Sequence, residues 1–346
     1  MRAAVLVGPG QLEIQDVPTP VAGAGEMVLE VGANTVCGTD GRIFRGEKTA
    51  GVRPGVVMGH EFSGYVHDIG DGVEGYEEGD LVGVMPTVPC LRCYYCENHL
   101  EHMCVDAKLY GYWIDGGLAE YVLITAESIQ RGAIVKALPG SKPEAIALAE
   151  PLGCVLNGAD NYGTNIGDTV LIIGAGPIGL LHTMVNKHRG ASQIIVINRS
   201  PGRLEIAKEL GATHTALSGD VNIAEFVKDL TGGLGAHVAV QCIGNLDLFQ
   251  TALQSVRNGG RVNAFAGFPK GQMATIDPNL IHYNELTVTG GSNMGRNNYR
   301  KAVQLIGEGA INVSALHTDT FTLEDTAKAL DHVTAGKGIK TAVVPA

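Results

Sequence analysis

Thr169-Val-Leu-Ile-Ile-Gly-Ala-Gly-Pro-Ile-Gly179 decides the fold. A short apolar run enters a glycine turn, and the spacing predicts a helix from about Pro177 to His188. Strand, glycine turn and helix in direct succession form the context in which Gly-x-Gly-x-x-Gly carries meaning. Gly174 suits the tight turn, Gly176 lets a pyrophosphate approach the backbone, and Gly179 lets helix pack on strand. The helix start, with Pro177 and Ile178 in its first turn, offers free N–H groups and a positive dipole end to phosphates. The alternative is a glycine turn with no ligand.

The pattern further along supports the first reading. Strand candidates at Gln193–Ile197, Ala236–Cys242, Arg261–Ala266 and Leu286–Thr289 alternate with helical stretches at Pro201–Leu210 and Asp247–Val256. Such alternation predicts an α/β domain with a doubly wound parallel sheet and right-handed crossovers. Residues before about 150 read differently. Short apolar runs at Val28–Val31, Gly64–His67, Leu81–Met85 and Ala119–Thr125 are cut by glycine, proline and acid clusters, which predicts a β-rich domain. After Gly290-Gly-Ser292, a helix near Tyr299–Gly307 and a strand near Thr341–Val344 are expected to return to it. The expected division is therefore 1–152 with 293–346, surrounding 153–292. A length of 346 residues suits two domains.

An acid some 20 residues beyond the fingerprint normally takes the ribose hydroxyls of NAD. Here the second strand ends Ile197-Asn198-Arg199-Ser200, with asparagine at the acid's position. Aspartate would repel the 2′-phosphate of NADP and asparagine does not. Arg199 and Arg203 could pair with that phosphate as charge-assisted donors. This favours NADP. The alternative is NAD, with Asn198 bonded to the ribose and both arginines solvated.

The chain holds seven cysteines, four of them in Cys90-Leu-Arg-Cys93-Tyr-Tyr-Cys96 with Cys104 following. An odd, scattered count is a poor disulfide framework. Four clustered thiolates can close a tetrahedron around zinc with no position left for water, which makes a structural site. An iron–sulfur cluster is the rival, but the compact ferredoxin pattern has a shorter last gap and a following proline, where this chain has Val105. Four metal-free thiols are disfavoured because the loop is polar and free cysteine is usually buried.

The net charge of −11 argues against nucleic acid, whose phosphates need a basic face. No stretch is long and apolar enough to predict a membrane span, and Pro9 spoils a signal peptide. A reducing cytoplasm is expected. Three separated segments offer further metal ligands: Cys37 in Cys-Gly-Thr-Asp40, His60 with Glu61, and Glu150 in Ala-Glu-Pro. Spacing alone does not bring them together.

These motifs, in this order, resemble the zinc-containing medium-chain alcohol dehydrogenases over essentially the whole chain. The resemblance rests on Gly59-His60-Glu61…Gly64…Gly70…Val73, the four-cysteine lobe, Asp115-Gly-Gly-Leu-Ala-Glu-Tyr-Val and the fingerprint. It is strongest to the polyol branch of sorbitol, threonine and sugar-phosphate dehydrogenases. It implies a GroES-like catalytic domain, a Rossmann cofactor domain and an active site in the cleft between them. It implies two zinc ions: one catalytic, at Cys37, His60, Glu61 and Glu150, and one structural, at Cys90, Cys93, Cys96 and Cys104. Thr39 stands where the family places a hydroxyl proton relay. Many relatives carry a histidine five residues after the cysteine ligand; this chain has Arg42, which stays protonated.

For the substrate, Arg42 with Arg45 and Lys48 would suit a phosphate or carboxylate. Trp113 could wall a sugar ring, and Arg296 falls where relatives bind a polyol hydroxyl. The expected activity is hydride transfer between a secondary alcohol of a polyol, sugar or sugar phosphate and NAD(P). The rival readings are a non-catalytic nucleotide-binding protein on the same scaffold and a zinc-free quinone reductase. Relatives assemble as dimers or tetramers, so a homo-oligomer is expected.

Overall fold

The computed structural model describes residues 1–345. They form two compact units, Cys154–Asn293 and, from both chain ends, Met1–Gly153 with the described residues from Met294 onward.

The unit Cys154–Asn293 is a six-stranded sheet, parallel throughout. Its spatial order is His214–Leu217, Gln193–Asn198, Thr169–Ile173, Ala236–Gln241, Val256–Ala264, Thr287–Gly290. In order of appearance this is 3-2-1-4-5-6, the dinucleotide-fold order, in which the reversal of direction lies between the first and fourth strands. Thr169–Ile173 is buried along its whole length, as a central parallel strand must be. Helices Pro177–His188 and Pro201–Leu210 follow as the sequence predicts. Three elements lying wholly in this unit escape the sequence reading, helix Pro278–Asn284 among them. His214–Leu217 is a half-exposed edge strand, too short and mixed to show a period. Ile223–Leu230 is an amphipathic helix whose Asn222 side chain caps its first turn. The strand expected at Arg261–Ala266 begins at Val256, running through Gly259 and Gly260 with a register shift near its start. Glycine pairs signal turns more often than strands.

The other unit is built on a seven-stranded sheet. Met27–Thr35 is its centre, paired with Glu61–Ile69, Tyr121–Ile124 and Lys340–Val344. The last of these comes from the chain's far end and pairs in parallel with His317–Thr322. Its core packs Ala4, Val36, Ile43, Met58, Leu118, Leu330 and Val343. Among the described residues no helix is long and apolar enough to cross a membrane.

Candidate active site

Strand pairing gathers the first set of predicted ligands. Thr35 lies opposite Glu61 in the antiparallel ladder, so Cys37, two residues on, stands beside His60. One ligand atom each of Cys37, His60 and Glu61 lies within 4.8 Å of the others. His60 and Glu61 are buried. Asp40 fixes two members of this group at once. One carboxylate oxygen accepts the Cys37 backbone N–H at 2.9 Å. The other lies 2.9 Å from His60 Nδ1. With Nδ1–H donated to the carboxylate, Nε2 is left as a lone-pair donor, the arrangement that orients metal-ligating histidines. Burial opposes charge on the ring, but the Asp40 carboxylate, with Tyr112 and Cys37 adding to it, outweighs burial and holds His60 well above its ordinary value. The field that favours a proton there also favours a metal cation.

Glu61 and Glu150 are both buried, and their charges interact. Burial first, then the Glu61 charge, pushes Glu150 up to about 7. Glu150 sits in the first turn of helix Ala149–Tyr162, beside the tight trio rather than among its atoms. Glu61 Oε2 receives the Thr35 hydroxyl and the Lys340 ammonium. Lys340 Nζ also donates to the Val36 carbonyl at 3.1 Å and is 4% exposed. The ammonium is bonded to Glu61 and acted on by the charges of Cys37 and Glu150, so the thiol, imidazole and two buried carboxylates gathered here suit a divalent cation. Lys340→Met is expected to cost roughly 3–5 kcal/mol in metal-free protein, because it strands a buried carboxylate. The loss shrinks in zinc-loaded protein, where the metal supplies the missing charge. Urea denaturation with and without zinc measures both; equal losses would defeat the charge argument.

Around this group the predicted substrate residues separate. Arg42 is exposed and donates from Nη2 to Thr39 Oγ1 at 2.9 Å. Trp113 is 53% exposed, and its carbonyl accepts Arg53 Nε. Arg296 goes elsewhere: its Nε and Nη2 hold Glu101 Oε1 at 3.1 and 2.9 Å, and Nη1 donates to the Arg131 carbonyl. Glu101 belongs to the cysteine lobe and is 8% exposed. The guanidinium expected near a substrate hydroxyl therefore fastens the lobe to the start of helix Arg296–Gly307.

In the lobe, the sulfurs of Cys90, Cys93, Cys96 and Cys104 lie within 4.8 Å of one another. Cys90–Cys96, Cys93–Cys96 and Cys93–Cys104 separations are 4.0, 3.6 and 3.9 Å. A tetrahedron with zinc–sulfur bonds of about 2.3 Å has edges of about 3.8 Å, so the spacing fits the ion. Backbone N–H groups, led by that of Cys96, lower the Cys93 thiol to about 6, whereas burial raises Cys96 to about 12. Four adjacent thiols do not all ionise without a cation between them.

The fingerprint occupies the second unit. Gly174 has φ +111°, and a Cβ there would meet Ile243. A Cβ on Gly179 would drive into the Gly174 carbonyl oxygen, which is why helix and strand need glycine there. Gly176 is the N-cap residue of helix Pro177–His188, and a Cβ there would meet open space. A cavity of about 330 Å³ opens nearby, lined by Ile173, Ile197, Asn198, Arg199, Ser218, Ile243, Gly244, Asn245 and Leu248. Asn198 Oδ1 accepts the Ala175 N–H at 3.3 Å, and its amide donates to the Ser200 carbonyl at 3.4 Å. Arg199 is exposed, and no carboxylate of the described residues pairs with it. Arg203, in the first turn of the next helix, does not line the cavity. An apolar slot with backbone N–H groups and an unpaired cation at its rim fits a nucleotide.

Sequence reading missed Asp40, Lys340, Thr35 and Ser218. Asp40 had a signal: an acid three residues after a helix N-cap reaches back to the cap's N–H. Lys340 had none, since 279 residues separate it from Glu61.

Family comparisons agree with this geometry. Residues 23–134 match the alcohol dehydrogenase GroES-like domain, and residues 177–308 match the zinc-binding dehydrogenase domain. An L-threonine 3-dehydrogenase of Pyrococcus horikoshii is 37% identical, over 84% of this chain and 82% of that protein. A sorbitol dehydrogenase of Halalkalibacterium halodurans is 30% identical over 98% and 97%. Among solved structures, a protein of Sinorhizobium meliloti described as a zinc-binding dehydrogenase bound to NADP superposes with a TM-score of 0.92 at 30% identity, covering 99% of both chains. With both domain types matched in order and about a third of its residues shared with such enzymes along most of their length, this chain belongs to the zinc-binding medium-chain dehydrogenase family and is an NAD(P)-linked alcohol dehydrogenase.

Proposed function

We propose that this enzyme transfers a hydride between a secondary alcohol of a polyol, sugar or sugar phosphate and a nicotinamide cofactor, NADP in preference to NAD. The observation that carries the reading is the convergence of Cys37, His60 and Glu61 around one point, with Glu150 beside them. These four residues would hold the catalytic zinc, and the four-cysteine lobe would hold a second, structural one. When bound, the zinc supplies Lewis acidity at a substrate oxygen and the nicotinamide accepts the hydride.

The chain's own residues do the rest. Asp40 keeps His60 in one tautomer and one orientation. Arg42 fills one lone pair of Thr39 Oγ1, leaving the hydroxyl free to donate and to accept once more. Thr39 can thus receive a proton from a substrate hydroxyl and pass its own onward. Arg42 cannot take that proton, so it leaves through water or a neighbouring carboxylate. Asn198 and Arg199, at the cavity rim, favour the 2′-phosphate of NADP. The exposed edge strand Thr287–Gly290 suits pairing with a second copy, in a cytoplasmic homo-oligomer.

Reduced-nicotinamide absorbance on zinc-replete protein tests the reading, with NADP and NAD run in parallel against polyols, sugar phosphates and secondary alcohols. Turnover of none of them with both zinc sites filled would sink it. Cys104→Ala is expected to lower the metal content from about two zinc ions per chain to about one and to lower stability. Elemental analysis beside thermal unfolding checks this; unchanged zinc content would remove the lobe from the metal count.

A further inference from the structure

The cations after Cys37 are not equivalent. Arg42 is bonded to Thr39, Arg45 is held by Glu47 and Thr334, and Arg53 is held by Asp115. Lys48 differs. Its backbone is fixed, because the N–H groups of Glu47 and Lys48 both donate to the Arg42 carbonyl. Its ammonium meets no carboxylate among the described residues and lies over the face of Tyr112, 5.5 Å from the ring centroid. Tyr112 in turn packs edge-on against His60, with ring centroids also 5.5 Å apart. These two legs put the ammonium within about 11 Å of the His60 imidazole. A cation–π contact occupies no N–H donor directionally and holds a lysine only weakly. Lys48 therefore presents a positive charge with three donors in reserve one aromatic ring away from a member of the metal-ligand trio, in a chain whose net charge is −11.

Building on the dehydrogenase reading, we propose that Lys48 is a specificity-determining residue that binds an anionic group, carboxylate or phosphate, on the alcohol substrate. The ring of Tyr112 serves as its resting place and as the wall that joins it to the metal site. The flexible four-carbon stem lets the ammonium swing from the ring to the anion without moving the backbone. A carboxylate carbon two bonds from the carbinol carbon, as in threonine, and a phosphate several bonds further away require different extensions of that stem, so the two sources of charge are separable by experiment.

The test uses zinc-loaded holoenzyme and two matched pairs: L-threonine with L-threoninol, and sorbitol 6-phosphate with sorbitol. Binding is measured by calorimetry, which needs no turnover, and KM and kcat are measured beside it. The wild type is expected to bind the anionic member of one pair about 10- to 100-fold more tightly than the neutral one. Lys48→Met removes that preference, raising KM for the anionic substrate with kcat nearly unchanged. Lys48→Arg restores most of it. The pair that shows the effect identifies carboxylate or phosphate as the source. Lack of preference in both pairs, or a preference that survives Lys48→Met, overturns the proposal. Turnover of the neutral alcohols in that event leaves the dehydrogenase reading standing, and its loss in the wild type would instead strike that reading.

Discussion

His60→Ala is expected to lower kcat/KM by at least about a thousandfold, equivalent to about 4 kcal/mol of transition-state stabilisation. The reasoning starts from geometry. His60 lies within 4.8 Å of both other members of the trio, and its ring is aimed by Asp40. Removing the imidazole takes away the site's one neutral nitrogen donor and leaves a thiol and two carboxylates to hold the metal. Cys37→Ser should act similarly, since a hydroxyl is a far weaker zinc ligand than a thiolate. The fold should survive both changes. The trio sits at the ends of strands whose pairing and core do not depend on it. A modest loss of stability is expected in His60→Ala, because Asp40 is fully buried and loses one of its partners. The discriminating measurements are zinc content, far-UV circular dichroism and turnover on the same samples. One zinc lost, native spectrum and no turnover is the expected combination. Asp40→Asn, which keeps the shape but weakens the orienting bond, should fall between, with a loss of about 10- to 100-fold. Full activity in either Cys37→Ser or His60→Ala would overturn the assignment of this site.

Local chemistry made part of this architecture readable in advance. Thr169–Gly179 announces its strand, turn and helix because burial on both faces demands an unbroken apolar run and because only glycine fits the turn. The four-cysteine lobe is equally legible, since all its ligands lie within 15 residues of chain. Elements fail to show where tertiary contacts override local pattern. His214–Leu217 is a strand only because Gln193–Asn198 offers it a ladder. Thr326–Thr334 is a helix whose buried side is only Thr326, Ala329 and Leu330, too few for a clear period. The metal trio is intermediate. Each residue is visible, but only the opposition of Thr35 and Glu61 joins them, and register is a long-range property. Arg296 shows the reverse error. A charged residue just after the crossover invites a substrate role, yet a buried acid in the lobe is a stronger partner than water, and Glu101 takes it. Lys340 marks the limit, being a buried lysine whose meaning depends on a carboxylate elsewhere in the chain.

Cofactor choice gives the second large effect. If Asn198 and Arg199 read the 2′-phosphate, Asn198→Asp should lower kcat/KM for NADP by about 10- to 100-fold, and Arg199→Ala by a similar factor. Together they should reverse the preference toward NAD. The signs follow from charge. Aspartate sets a carboxylate beside the phosphate, which repels it, and presents two acceptors to the hydroxyls of an unphosphorylated ribose. Alanine at 199 removes a cation that no carboxylate of the described residues neutralises. Structural cost should be small. The bonds Asn198 makes, to Ala175 N–H and the Ser200 carbonyl, are long at 3.3 and 3.4 Å, and aspartate keeps the first. Ser218, on the same cavity wall, offers a control: Ser218→Ala removes a neutral donor, so its effect on NADP should be the smallest of the three. The measurements are kcat/KM for both cofactors and dissociation constants for NADPH and NADH by fluorescence. Ionic strength adds a check, because a contact between exposed charges weakens as salt rises. The NADP advantage should therefore narrow in high salt for the wild type and stay flat in Arg199→Ala. If Arg199→Ala changes neither cofactor's constants, the guanidinium is solvated in the complex and its role is refuted; a wild type that prefers NAD refutes the preference for NADP.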